Sequence, residues 1–116
     1  MQVLKFGGSS VKNAANINKV IAIIKDKIKV DKTIVVVSAL GGITDLLLEC
    51  SKLASVGDET YKEKLKEAEL RHLTTVKELL PLTRQSSVLS QVKTLCNEIE
   101  DICNGIFLLS ELSERT

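Results

Sequence analysis

Tryptophan is absent from this 116-residue sequence, which holds only one tyrosine and two phenylalanines, so aromatics make up 3% of the chain. Few rings are left on which unpaired bases could stack, in the manner of single-strand nucleic-acid binders. Net charge is equally scarce. Sixteen Lys and Arg residues face fifteen Asp and Glu residues, leaving +1, and no broad field exists to draw in nucleic acid or an anionic membrane. Long apolar runs are missing too, and every run is far short of the roughly 20 residues that a membrane-spanning helix needs. No basic leader, apolar signal core or small-residue cleavage pattern precedes Val3-Leu4-Lys5-Phe6, from which a cytoplasmic location is expected.

Cysteine and histidine are too few for a metal site of the zinc-finger kind. Cys50, Cys96 and Cys103 form no C-x-x-C pair and have only His72 to join them. On one helix the seven-residue step from Cys96 to Cys103 would span about 10 Å, beyond a disulfide's reach. All three are expected to act as small core hydrophobes. His72, beside Arg71 in a charged stretch, is expected to be solvated.

What the chain does have is 44% hydrophobic and 27% charged residues, a mixture that supports a packed core under a solvated surface. Gln2–Phe6 reads as a short buried strand, and Gly7-Gly8-Ser9-Ser10 follows as a turn. Ile17, Ile21, Ile24 and Ile28 then recur at helical spacing, which predicts an amphipathic helix from Asn13 to about Lys29 with that stripe buried. Ser9 and Ser10 are candidate caps for it. Thr33–Val37 is a β-branched run without polar alternation, the pattern of a parallel strand covered on both faces.

A second small-residue turn, Ser38-Ala39-Leu40-Gly41-Gly42, follows that strand, and Thr44-Asp45 leads into a second helix closing at Gly57. The two glycine turns are expected to lie side by side. A third helix is predicted from Thr60 to Leu80, with Leu65, Leu73, Val76 and Leu80 on one face and Pro81 ending it. Val88, Val92, Leu95, Ile99, Ile102 and Ile106 predict a fourth, packed against the third and ending near Asn104-Gly105. The closing segment from Ile106 to Thr116 carries no linker or polar tail, so the end is expected to be a cut within a longer domain.

Ligands of parallel α/β sheets gather at strand C-termini, where helix N-termini present N–H groups to anions. Both glycine turns fall there. Without a Cβ, Gly7, Gly8, Gly41 and Gly42 let phosphate oxygens approach the backbone. Neither G-x-x-x-x-G-K-[ST] nor G-x-G-x-x-G is present. Lys5 stands inside an apolar strand two residues before the glycines, where burial would require an anion as its partner. A phosphate supplies one.

The string Leu4-Lys5-Phe6-Gly7-Gly8-Ser9-Ser10-Val11 resembles the signature that opens the aspartokinases of the amino acid kinase family. Val36-Val37-Ser38-Ala39 and Gly42-Ile43-Thr44-Asp45-Leu46-Leu47 are similar to that family's second segment. Asn104-Gly105-Ile106-Phe107-Leu108-Leu109 and Leu112-Ser113-Glu114-Arg115 resemble the branch fused to a homoserine dehydrogenase. The resemblance spans nearly the whole chain. It implies an α/β fold of the amino acid kinase type, a three-layer sandwich represented by its N-terminal portion (β-α-β followed by helices), with residues 1–116 as a truncated catalytic domain.

It further implies ATP-dependent phosphorylation of the aspartate side chain, the first step toward lysine, methionine and threonine. The cofactors would be ATP and Mg²⁺, with NADPH only if a homoserine dehydrogenase follows, and the state a homo-oligomer. Carried over by residue, Lys5 is the catalytic cation, and it shares the nucleotide phosphates with Gly7, Gly8, Ser9 and Ser38. Ser38, Ala39 and Thr44 border the acceptor, where Thr44 hydrogen-bonds aspartate. The acceptor carboxylate is already ionised at neutral pH, so no general base is needed, and Asp45, Glu111 and Glu114 are left with surface roles. The family's later Gly-Glu segment, Arg/Asp segment and adenine-binding elements have no counterpart in this sequence. Residues 1–116 alone are therefore expected to be inactive. A kinase for glutamate or acetylglutamate, or a non-catalytic regulatory module of the same fold, are the competing readings.

Overall fold

The computed structural model describes residues 1–115 and contains two strands and four helices. In chain order these are β1 (Gln2–Phe6), α1 (Ala14–Ile28), β2 (Thr33–Val37), α2 (Ile43–Ser55), α3 (Tyr61–Leu79) and α4 (Leu82–Arg115). The chain divides into two compact units, Met1–Thr44 and Asp45–Thr116.

The first unit is a β-α-β motif. β1 and β2 pair in parallel, with Gln2 opposite Thr33 and Phe6 opposite Val37. The strands fall where β-branched and apolar residues cluster, and α1 supplies the crossover that a parallel pair requires. α1 starts at Asn13, whose Oδ1 accepts from the Asn16 N–H at 2.9 Å. Asn13 therefore holds the cap position expected of Ser9 or Ser10, which lie too far upstream to reach the first free N–H groups. Where α1 returns to β2, the Gln2 amide donates to Lys27 O at 2.7 Å and to Thr33 Oγ1 at 3.1 Å.

Two expectations about this unit are corrected. β2 is not covered on both faces: Ile34, Val35, Val36 and Val37 are 37–58% exposed, because the sheet formed by the described residues has only two strands. In α1 the buried residues are Ala14 and Val20. Ile17 and Ile24 are half-buried, whereas Ile21 and Ile28 remain exposed, since so narrow a sheet gives a four-turn helix little to cover.

The second unit is helical. α2 ends before Gly57, which takes a φ of 75°, a left-handed conformation that glycine adopts without steric cost. α3 stops where Pro81 lacks the N–H needed to continue. α4 runs back along α3, so that Tyr61 reaches Asn104 and Phe107 while Glu69 pairs with Lys93. Cys50, Ala54, Tyr61 and Cys103 form the core, joined by Leu53, Leu65, Ile99, Ile106 and Phe107. Tyr61 is 1% exposed; its hydroxyl donates to Asn104 Oδ1 at 2.6 Å and its ring lies 5.7 Å from that of Phe107. The phenol thus keeps a polar partner while its ring is buried.

Cys50 and Cys103 are core hydrophobes as expected, and Cys96 is half-buried. His72 is half-buried, so it is partly solvated, and its Nδ1–H donates to Ala68 O at 2.7 Å, a bond within α3 itself. α4 departs most from expectation, because it passes through Gly105 and continues to Arg115. A helical glycine costs about 1 kcal/mol relative to alanine, and the burial of Ile106 and Phe107 in the next turn offsets that amount. The inward face of α4 also differs, since Leu95 and Ile102 are 58% and 63% exposed. Val88, Val92, Cys96, Ile99, Cys103 and Ile106 are the positions turned toward α3 and the core.

Two predictions follow from this packing. A Cβ at Gly105 would meet nothing within 4 Å, so Gly105→Ala stabilises α4 by about 1 kcal/mol and raises the midpoint of thermal unfolding followed by circular dichroism. Desolvation, with a smaller contribution from Cys103, pushes the Cys50 thiol up from 9.0 to about 11. The folded state then holds this proton more tightly than the unfolded state does, so its contribution is complete below pH 9 and is lost as pH rises toward about 11. Chemical denaturation across that range shows the decline, and Cys50→Ala flattens it.

Candidate functional site

The pairing of β1 with β2 brings their C-terminal ends together. Beyond the Phe6 and Val37 pair, the Ser38 N–H donates to Phe6 O at 3.1 Å, so the two turns leave the sheet at the same level. The first turn closes with Ser10 N–H to Gly7 O at 3.1 Å and Val11 N–H to Gly8 O at 3.3 Å. Asn16 Nδ2 ties it to α1 by donating to Ser9 O at 2.9 Å. The second turn closes with Ile43 N–H to Leu40 O at 3.0 Å, and Gly42 takes a φ of 82°.

The turns touch, as the sequence predicts. A Cβ built on Gly8 would lie 3.5 Å from Gly41 Cα, 3.7 Å from Ala39 O and 3.8 Å from Ser38 Oγ. One built on Gly41 would lie 2.8 Å from Lys12 Cβ and 2.9 Å from Gly8 O. Glycine at position 41 is thus what lets the second turn settle against the first. Gly7 is different: a Cβ there would meet nothing within 4 Å, so its backbone is open to a ligand.

Of the residues singled out from sequence, Gly8, Ser38 and Ala39 are brought into one cluster around Gly41. Lys5, Gly7 and Ser9 are exposed on the strand and turn that lead into it, and Thr44 is exposed in the first turn of α2. The burial argument for Lys5 does not hold. Lys5 is exposed along with Val3 on the same side of β1, because alternate residues share a face and nothing in the two-stranded sheet covers this one. It stands one residue before the last pair of the two strands, opposite Val36. Sequence reasoning missed Lys12, whose Cβ packs against Gly41. The available signal was a cation two residues beyond Gly-Gly-Ser-Ser, at the lip of a glycine turn.

Chemically, the cluster around Gly41 offers closely approachable glycine backbone and the Ser38 hydroxyl, groups that can donate to an oxyanion, while Lys5, Ser9 and Thr44 are exposed on the elements beside it. Among the described residues no three His, Cys, Asp or Glu side chains form a group able to hold a metal ion, and no helix is long and apolar enough to cross a membrane.

The fold is an α/β one whose two strand ends carry abutting glycine turns, the place where ligands of parallel sheets gather, and comparison with known proteins narrows it. Residues 1–109 match the model of the amino acid kinase family, and the chain belongs to that family. It is 34% identical over 117 residues to "Aspartokinase 1, chloroplastic" of Arabidopsis thaliana, covering 98% of this chain and 19% of the relative. It is 29% identical over 112 residues to "Bifunctional aspartokinase/homoserine dehydrogenase 1, chloroplastic" of the same plant, covering 97% and 12%. Over 58 residues it is 45% identical to an aspartokinase of Rickettsia conorii, covering 48% and 14%. The chain thus spans less than a fifth of the length of these relatives.

The contact geometry separates the two central glycines. Gly41→Ala forces its methyl group into backbone and destabilises residues 1–44 by about 1–3 kcal/mol, whereas Gly8→Ala makes only ordinary contacts. Hydrogen exchange of the β1 and β2 amides is expected to accelerate in the first variant and to stay close to wild type in the second.

Proposed function

We propose that residues 1–116 are the N-terminal part of an aspartate kinase catalytic domain and supply its phosphate-binding turns. The reaction is transfer of the γ-phosphoryl group of ATP to the aspartate side-chain carboxylate, giving aspartyl phosphate and ADP. The observation that carries this reading is the seating of Gly8 against Gly41, Ser38 and Ala39, which unites the two segments whose sequences resemble the aspartokinase motifs. Membership of the family and the names of the relatives support it.

In this reading Lys5 meets the transferred phosphoryl group and offsets the negative charge that develops on it. Gly7, Gly8 and Ser9 line the phosphate path with Ser38. Phosphoryl transfer depends mainly on such positioning and electrostatics. Ser38, Ala39 and Thr44 border the acceptor, and the neutral Thr44 hydroxyl can donate to an anionic substrate where a carboxylate would repel it. ATP supplies the phosphoryl group. Magnesium would arrive held by the nucleotide phosphates.

The test is a chimera in which this chain replaces the matching N-terminal segment of the Arabidopsis aspartokinase, assayed with ATP, magnesium and aspartate. Aspartate-dependent ADP release is expected, reduced by about 10²–10³-fold in Lys5→Ala, with glutamate and acetylglutamate failing as acceptors. The isolated 116 residues are expected to show no turnover. A folded chimera that uses another acceptor, or an unchanged rate in Lys5→Ala, would sink the respective assignment.

A further inference from the structure

Three successive carbonyls of the first glycine turn are each held by a donor. Gly7 O accepts from the Ser10 N–H at 3.1 Å and Gly8 O from the Val11 N–H at 3.3 Å, while Ser9 O accepts from Asn16 Nδ2 at 2.9 Å. No cis peptide bond occurs among the described residues, so in each planar unit the N–H lies opposite the C=O. Engaging these carbonyls with donors of the turn and of α1 therefore turns the N–H groups of Gly8 and Ser9 away from those donors, toward a side from which an oxyanion can meet them.

Two of the three bonds are local backbone closures, and the third comes from a side chain on α1. Asn16 stands three residues after the cap Asn13, and its own N–H donates to Asn13 Oδ1 at 2.9 Å. A side chain at this helix position commonly accepts from the N–H of the cap residue and completes a capping box. In this chain it donates instead to Ser9 O, upstream of the cap, so the amide serves the turn and not the helix. A carboxylate at position 16 could not make this bond, because it only accepts, and the first turn of α1 holds no acidic residue.

We propose that Asn16 is a positioning residue for phosphoryl transfer, whose bond to Ser9 O holds residues 7–9 with their N–H groups toward the phosphates. The assignment rests on the kinase reading above. Without that bond the Ser9–Ser10 peptide is held only through Ser10 N–H on Gly7 O, and its carbonyl is free to turn a negative dipole toward the anion. Asn16 acts through the Ser9 carbonyl, with no contact of its own to substrate.

The chimera described above supplies the assay. Asn16→Leu keeps the size of the side chain and removes the donor. Its kcat/KM for ATP is expected to fall by about 10–100-fold, with a raised KM for ATP and a KM for aspartate within about twofold of wild type. Partial loss of folding would lower the active concentration without moving the KM for ATP, so this readout separates positioning from stability. Asn16→Glu is the second variant: it can complete a capping box with Asn13 and so preserve α1, yet it is expected to lose efficiency with ATP as the leucine variant does. A folded Asn16→Leu variant with wild-type KM and kcat/KM for ATP overturns the proposal, as does an equal rise in KM for both substrates. Should Asn16→Leu fail to fold, Asn16→Glu decides by the same criteria. An active wild-type chimera with unchanged Asn16 variants leaves the kinase reading standing and removes this assignment alone, whereas an inactive wild-type chimera removes both.

Discussion

Parallel pairing of β1 with β2 is the interaction on which the candidate site depends. The register fixes Phe6 opposite Val37, and the bond from Ser38 to Phe6 carries the pairing one residue further. Residues separated by some thirty positions in sequence thereby start their turns side by side. A slip of one residue would send alternate side chains to the wrong face and offset the turns. The contacts of Gly8 with Ser38, Ala39 and Gly41 would then be lost.

Glycine serves the site in two distinct ways. At Gly41 the requirement is space, since Lys12 and the Gly8 carbonyl already occupy the volume of a methyl group. At Gly42 it is backbone conformation, with a positive φ that other residues adopt only with strain. Surrounding hydrogen bonds from Asn16 and Ser10 fix the first turn, so the cluster is held by local bonds more than by burial.

The helical unit follows another logic. Its core is made of small residues, Cys50, Ala54 and Cys103, around one large buried ring, Tyr61. Small side chains let α-helices approach closely, and the Tyr61 hydroxyl is satisfied by Asn104 instead of water. Burial that raises the thiol of Cys50 also keeps it protonated and unreactive at neutral pH. None of the three cysteines therefore needs a redox or metal role to explain its place.

Local chemistry by itself determined both strands to the residue, the starts of α1 and α3, the stop at Pro81 and the meeting of the two glycine turns. These depend on β-branched runs, N-terminal polar residues, the missing N–H of proline and the missing Cβ of glycine, all of which act within a few residues. Tertiary structure alone decided the rest. Gly105 does not end α4, because core contacts of Ile106 and Phe107 outweigh its intrinsic cost. Leu95 and Ile102 share the helical period of the core face yet stay outside it, because periodicity marks a stripe without saying how wide a neighbour covers it. The exposure of Lys5 and β2 has the same origin: an apolar strand announces that it can be buried, but only the number of strands beside it determines whether it is.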